Sequence, residues 1–377
     1  MILIGLRSNT VAFKTKGITL MKKDKAGKAI ISYLPSKLKY VVTLTTIITV
    51  SSLITSNVLA VEYDANSESV FVSSLQDNLR LSIDLSARSV DFTRQNTNGY
   101  QYAIGFDIHK VFSSDTQDLG VLTAQVYFTQ LNNHIAHPGF FQDKDDSEFV
   151  YRVFNFNYLG FSGDLPNIRI GHFEIPFGLE HTIPTNGTLR QYIHPRNLGI
   201  KADWGVSLNK QFTNYEYEVS YSTGGNQSLN SEDGSYVTAG RIGTLRDENT
   251  VVGLALYKSR LKGIERHRIG ADFKYYWYRY GFFSEVSVGE NEDAQVLNGL
   301  LEWNYRNRNE SLLSYVQLGY FSQEINNDDE RAVEGIIGVK YEPDNHWSLS
   351  SQLNRGLDTF SGKGSQTKFS LQVRYRF

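Results

Sequence analysis

Cysteine is absent from the 377 residues, which excludes a disulfide framework and any thiolate-ligated metal. Proline is scarce at 7, and the only two methionines, Met1 and Met21, stand near the start. Beyond residue 60 no stretch supplies the roughly 18–20 continuous apolar residues of a membrane-crossing helix. Also missing are a Gly-x-Ser-x-Gly elbow, a phosphate-binding Gly-rich loop and a His-Glu-x-x-His pair, so no local motif points to hydrolase, nucleotide or zinc-protease chemistry. Basic charge is short as well. Residues 1–60 hold nine Lys/Arg and one acid, Asp24, leaving 29 basic against 39 acidic residues and a net charge of −10. That balance argues against nucleic acid as a partner.

What is abundant is 23 Tyr, 22 Phe and 31 Gly, a mixture that suits many strands joined by tight turns. The N-terminus reads as a targeting segment. Lys22, Lys23, Lys25, Lys28, Lys37 and Lys39 precede an uncharged run from Tyr40 to Leu59, and Val58 and Ala60 are small residues at the positions a signal peptidase reads. The expectation is a signal peptide over 1–60, with Met21 an alternative start, then a short periplasmic lead-in over 61–78. An uncleaved anchor is the competing reading, and the Thr and Ser content of the run argues against it.

From residue 79 onward the dominant signal is period-two alternation. Phe369, Leu371, Val373, Tyr375 and Phe377 alternate with Lys368, Ser370, Gln372, Arg374 and Arg376. Leu79, Leu81, Ile83 and Leu85 alternate with Arg80, Ser82 and Asp84, and Ile269, Ala271, Phe273, Tyr275 and Trp277 with Arg266, Arg268, Asp272 and Lys274. A cation on a lipid-facing position near the membrane midplane costs about 2–4 kcal/mol, so these cations belong to an aqueous interior. Sixteen strands are expected, at 79–92, 99–112, 119–131, 148–161, 166–174, 201–212, 214–224, 236–245, 249–260, 265–278, 280–289, 294–305, 311–323, 332–342, 346–355 and 366–377; fourteen or eighteen are the alternatives. Phase is ambiguous in two of them, 149–160 and 250–260. Connections after even-numbered strands are mostly short, whereas those after odd-numbered strands include 132–147, 175–200, 225–235, 324–331 and 356–365. This parity, with aromatics such as Tyr275 to Tyr278 near strand ends, fits an all-β transmembrane antiparallel barrel, 79–377, with both termini in the periplasm.

Two stretches carry family resemblances. The in-phase aromatic ending on Phe377 looks like the C-terminal signal of outer-membrane barrels as a class. The run Arg169 to Glu180, with Gly171, Phe173, Pro176, Phe177, Gly178, Leu179 and Glu180, then Arg196 and Gly199, resembles the phosphate-selective porin O and P family over about 40 residues. The resemblance implies an outer-membrane pore of a Gram-negative bacterium, a homotrimer among lipid and lipopolysaccharide, passing small hydrophilic solutes, with phosphate or other anions preferred.

The residues agree on where the chain must turn inward. Pro176 cannot donate to a strand ladder, and the connection 175–200 that follows is long enough to fold into a lumen. It brings His181, Arg190, His194 and Arg196, with Lys201 just beyond. These are the candidate constriction and selectivity residues, assisted by lumen-facing Arg266, Arg268, Lys274, Arg374 and Arg376, because fixed cations in a narrow low-dielectric passage concentrate anions. The plainer alternative is that these cations pair with acids such as Asp84, Asp107 and Asp272. His134 and His137 near Asp143, Asp145 and Asp146 read as an outer loop with incidental cation affinity, and no metal site or other cofactor is expected. A non-conducting interaction barrel and an outer-membrane hydrolase are the competing classes of function; an enzyme is not expected.

Overall fold

The computed structural model describes residues 78–377 apart from 93–96, 115–116, 132–146, 162, 183–186, 232–233, 326–327 and 360–364. The chain divides into two units, Met1–Ser69 and Val70–Phe377. In the first, only an antiparallel pair, Lys22–Lys23 with Ala29–Ile30, is described. Apart from that pair, the signal segment, nearly all of the lead-in and the His134/His137 loop lie outside the described residues.

The second unit is one closed barrel of sixteen antiparallel strands. They are β1 (Leu79–Phe92), β2 (Thr97–Ser113), β3 (Asp118–Leu131), β4 (Ser147–Tyr158), β5 (Asn167–Glu174), β6 (Ala202–Gln211), β7 (Glu216–Ser222) and β8 (Tyr236–Gly243). Then follow β9 (Thr250–Leu261), β10 (Ile264–Trp277), β11 (Tyr280–Asn291), β12 (Ala294–Arg306), β13 (Leu312–Ile325), β14 (Asp328–Tyr341), β15 (Trp347–Asp358) and β16 (Thr367–Arg376). Each strand pairs with its sequence neighbours, and β16 pairs with β1 to close the ring. Phe377 seals that seam: its N–H donates to the Ile83 carbonyl at 3.0 Å, and its carbonyl accepts from Ile83 N–H at 2.6 Å.

The sequence alternation becomes an inverted surface. On β9 and β10 the outward Leu256 and Ile269 are 63% and 62% exposed, whereas inward Arg268 is 2% exposed. Apolar side chains outside and charged or amide groups inside suit acyl chains around the wall and an aqueous interior. The two ambiguous strands have separate causes. In β4 the register slips between Gln125 and Val126 of β3, leaving Arg152 as an extra residue, so aromatics before and after this bulge point outward from opposite sequence phases. In β9 the inner face is itself apolar, with Val251, Ala255, Tyr257 and Leu261 buried, because something apolar packs on it from inside.

One expected connection differs. Residues 324–325 and 328–331 belong to strands rather than to a loop: β13 runs to Ile325 and β14 starts at Asp328, with Glu324 opposite Asp329. The polar, acidic run read as a loop continues the ladder instead, since a strand pair needs apolar side chains only where it meets lipid. The turns at 262–263 and 292–293 are as tight as expected, helped by positive φ at Lys262, Gly263 and Glu292.

Candidate functional site

Between β5 and β6 the chain leaves the wall at Ile175 and returns at Lys201, where Ile175 N–H donates to the Lys201 carbonyl at 2.9 Å. Described residues between these two points pack against the barrel's inner face. Ile175, Phe177, Leu198 and Ile200 are buried with Val237, Ala239, Ala255, Tyr257 and Leu261 of β8 and β9. Leu179 is buried with Val251, Phe283 and Leu300, and Tyr192 and Ile193 pack on the same cluster. Each such side chain contributes about 1.5–3 kcal/mol on full burial, so the loop is seated by its own small core.

Polar contacts fix its path. At Gly178 φ is +56°, and a Cβ there would collide with the Glu285 carboxylate. With no Cβ in the way, Glu285 of β11 accepts from Leu179 N–H at 2.9 Å and Glu180 N–H at 3.4 Å. Glu180 in turn accepts from Ile193 N–H and His194 N–H, each at 2.9 Å. His194 opens the short helix α1 (His194–Asn197), and its Nε2 lies 2.6 Å from Glu285 Oε1 while Nδ1 is 3.7 Å from Glu180 Oε2. The stretch Pro176 to Glu180 thus serves to lock the loop. Pro176 ends the strand, Phe177 anchors, Gly178 admits Glu285, and Glu180 clasps the returning strand of the loop.

Glu180, His194 and Glu285 are three buried potential metal ligands close together. Their geometry is that of an ion-pair clip: the two carboxylates approach opposite nitrogens of one imidazole, and the Glu180 oxygens already accept backbone N–H groups. Burial works against a charged His194, but Glu180 and then Glu285 outweigh it and hold the imidazole up to about 9. Burial raises the Glu180 carboxyl, with His194 opposing. His181 goes the other way. Burial and then the Arg246 guanidinium, whose Nη1 is 2.7 Å from His181 Nε2, keep it neutral, well below its ordinary range.

The remaining expected cations are found as follows. Arg190 donates from Nε to Glu302 of β12 at 2.8 Å and from Nη2 to the same carboxylate. Arg196 sits 3.7 Å from Glu334 and over the Phe321 ring, and Lys201 lies 3.3 Å from Glu174. Arg374 grips Asp84 at 2.5 Å, and Arg376 reaches Asp107 at 2.8 Å. Arg268 is a fastener: it donates to Asn197 Oδ1 at 2.9 Å and to the Asn197 carbonyl at 3.1 Å, holding the end of α1. Lys274 donates to the Arg246 carbonyl at 2.5 Å, and the half-buried Arg266 has its guanidinium beside Gly199. All five strand cations share the inward phase, but the structure does not gather them with the loop cations into one positive ring.

Several residues of the site escape sequence reasoning. Glu285, Glu302, Gln317 and Arg88 all contact the loop from distant strands. Gln317 of β13 exchanges two hydrogen bonds of 3.0 Å with the Gln191 backbone, and Arg88 of β1 donates to the Thr188 carbonyl at 3.1 Å. Each sits at an inward position of its alternating strand, which is the only local signal available.

No protein-family model matches the chain, and no curated protein matches it in sequence. Solved structures do match in fold. A loop L8 deletion mutant of OmpT, an outer membrane protein of Vibrio cholerae, aligns at TM-score 0.59 and 12% identity, covering 79% of this chain and 99% of that one. An anion-selective porin from Comamonas acidovorans aligns at 0.56 and 13%, with 79% and 99% covered. Salmonella typhi OmpF, in complex with daunomycin, aligns at 0.59 and 11%, with 79% and 97% covered. At these identities the likeness establishes the sixteen-stranded barrel fold.

Proposed function

We propose that this chain is a passive diffusion channel of a Gram-negative outer membrane, admitting small hydrophilic solutes past a constriction built by the loop 175–201. The observation that carries this reading is the loop itself. A closed barrel with lipid-compatible outer walls and a charged interior holds one long connection inside, seated by apolar burial and clipped to β11 by Glu285. A fixed inward loop narrows an aqueous path without chemistry, which is what a sieve requires. Export by an N-terminal signal, residence among lipopolysaccharide and assembly as a homotrimer belong to the same proposal. The fold neighbours titled as porins support it.

The loop motif gives no separate reason for phosphate, because its residues are spent on seating the loop. Any anion preference must come from cations that lack acids of their own. Purified chain reconstituted in planar bilayers is expected to give discrete conductance steps. A folded preparation that inserts without any steps would leave a non-conducting interaction barrel as the better description.

A further inference from the structure

Two neighbouring turns at one end of the barrel carry Arg279, Arg306 and Arg308. They follow β10 and β12, on the side that the parity of connection lengths assigns to the periplasm. The Arg306 N–H donates to the Arg279 carbonyl at 2.9 Å and ties the two turns together. Between them lies a pocket of about 260 Å³ whose lining includes Tyr276, Tyr278, Arg279, Arg306, Arg308 and Glu310. Three guanidinium groups therefore share a small space with one carboxylate. Among the described residues no ion pair involves any of the three. The Arg279 guanidinium lies over the Tyr278 ring, 4.9 Å from its centroid, and Tyr278 is 85% exposed. The flanking turns of the same rim carry the opposite sign, with Asp247 and Glu248 on one side and Glu342 and Asp344 on the other.

The lipid-facing wall beside this pocket is shaped as well. From β12 to β16 the outward Trp303, Val316, Ile337, Leu353 and Phe369 form one row, each opposite the next across the ladder. The next row toward the turns reads Tyr305, Ser314, Val339 and Ser351. Serine gains nothing from acyl chains, but two of them lower the surface between larger neighbours. They help to open a hollow of about 520 Å³ on the outer wall. Tyr305 joins the hollow to the pocket. It lines the first, its ring lies 5.3 Å from that of Tyr280, and its hydroxyl, ahead of that of Tyr278, favours the charged Arg279. Unpaired arginines at a membrane interface attract anionic headgroups, and the guanidinium fork matches phosphate oxygens. A free phosphate or an acidic peptide would satisfy the arginines and leave the hollow unused. An amphiphile uses both.

We propose that this corner of the barrel binds one anionic phospholipid of the inner leaflet, its phosphodiester on Arg279, Arg306 and Arg308 and an acyl chain in the hollow at Ser314 and Ser351. The inference rests on outer-membrane placement and not on conduction, so an absence of conductance steps would leave it standing.

The test titrates the full-length chain in dodecyl maltoside with phosphatidylglycerol, phosphatidylethanolamine or water-soluble glycerol 1-phosphate, and counts bound molecules by native mass spectrometry. One phosphatidylglycerol is expected to bind at roughly fivefold lower concentration than phosphatidylethanolamine, with no glycerol 1-phosphate bound over the same range. The triple variant Arg279→Gln, Arg306→Gln, Arg308→Gln should lose the difference between the two lipids. Ser314→Phe, which fills the hollow and leaves every charge in place, should weaken phosphatidylglycerol binding several-fold. Equal binding of both lipids by the wild type, or an undiminished preference in the triple variant, overturns the site. Should the triple variant fail to fold, Ser314→Phe decides, and unchanged phosphatidylglycerol binding overturns the proposal. Glycerol 1-phosphate bound as tightly as the lipid would make this a site for free phosphate esters, which also overturns it. Arginine-dependent co-sedimentation with purified cell-wall sacculi, without any lipid preference, would assign the pocket to peptidoglycan instead.

Discussion

Two arcs of the same inner wall do opposite work. From β8 to β12 the inward side chains include Val237, Val251, Ala255, Tyr257, Phe283 and Leu300, and the loop covers them. From β14 round to β1 they include Ser348, Ser350, Gln352, Asn354, Ser370, Gln372 and Arg88, with Ala332, Ile336, Val90 and Phe92 the buried apolar side chains among them. The first arc is a receptor for the chain's own loop; the second keeps the hydroxyl, amide and guanidinium groups that water and solutes require. A barrel can thus carry a fixed constriction without filling itself, by making one arc of its interior apolar.

The largest expected effect comes from breaking the loop's seat. Gly178→Val places a branched side chain at φ +56° and against Glu285, so the loop must leave the apolar arc. The cost is expected at about 2–4 kcal/mol, visible as larger and noisier conductance steps and a lower unfolding temperature in detergent. Glu285→Gln comes next. It strips one carboxylate from the buried, charged His194 while leaving shape intact, and should cost about 3 kcal/mol by the same two measurements. If Gly178→Val and Glu285→Gln leave conductance and stability alone, the two arcs do not differ in the way described.

The clip also has a pH signature. His194 is raised from its ordinary 6.5 to about 9 in the folded chain, so its contribution is fully present below about 6.5 and is lost as pH rises through about 9. Conductance noise is expected to grow between pH 7 and 9.5 in the wild type, and His194→Asn should be noisy and flat across that range. A smaller change follows Arg190→Gln, which frees the Glu302 carboxylate and should move the reversal potential modestly toward cations. Least of all, Arg331→Ala removes an ion pair to Asp358 that is exposed on both sides, and stability should change by less than about 0.5 kcal/mol.

The sixteen strands were legible because lipid imposes a strict rule on alternate residues, and the rule failed only where another contact replaced lipid or water. Arg152 bulges out of register, so the aromatics of β4 appear in both phases. The inner face of β9 meets the loop and reads as apolar twice over. At Glu324 and at Asp328 to Arg331 the ladder continues through residues whose polarity reads as a loop. For the site, Pro176 and the length of the following connection announced an inward loop, and His194 and Arg190 were visible as candidates. Their partners were not, because Glu285 and Glu302 lie 91 and 112 residues away and no local pattern encodes that pairing. The cations looked like a filter since sequence shows charges singly, while the fold pairs Arg190, Arg196, Lys201, Arg374 and Arg376 with carboxylates.

The most direct test compares single-channel conductance of the full chain with that of a variant whose residues 181–192 are replaced by a short Gly/Ser linker. Steps that grow at least about twofold on shortening would show that the seated loop sets the narrowest passage. Steps of unchanged size, with the barrel still folded, would show that the constriction lies elsewhere.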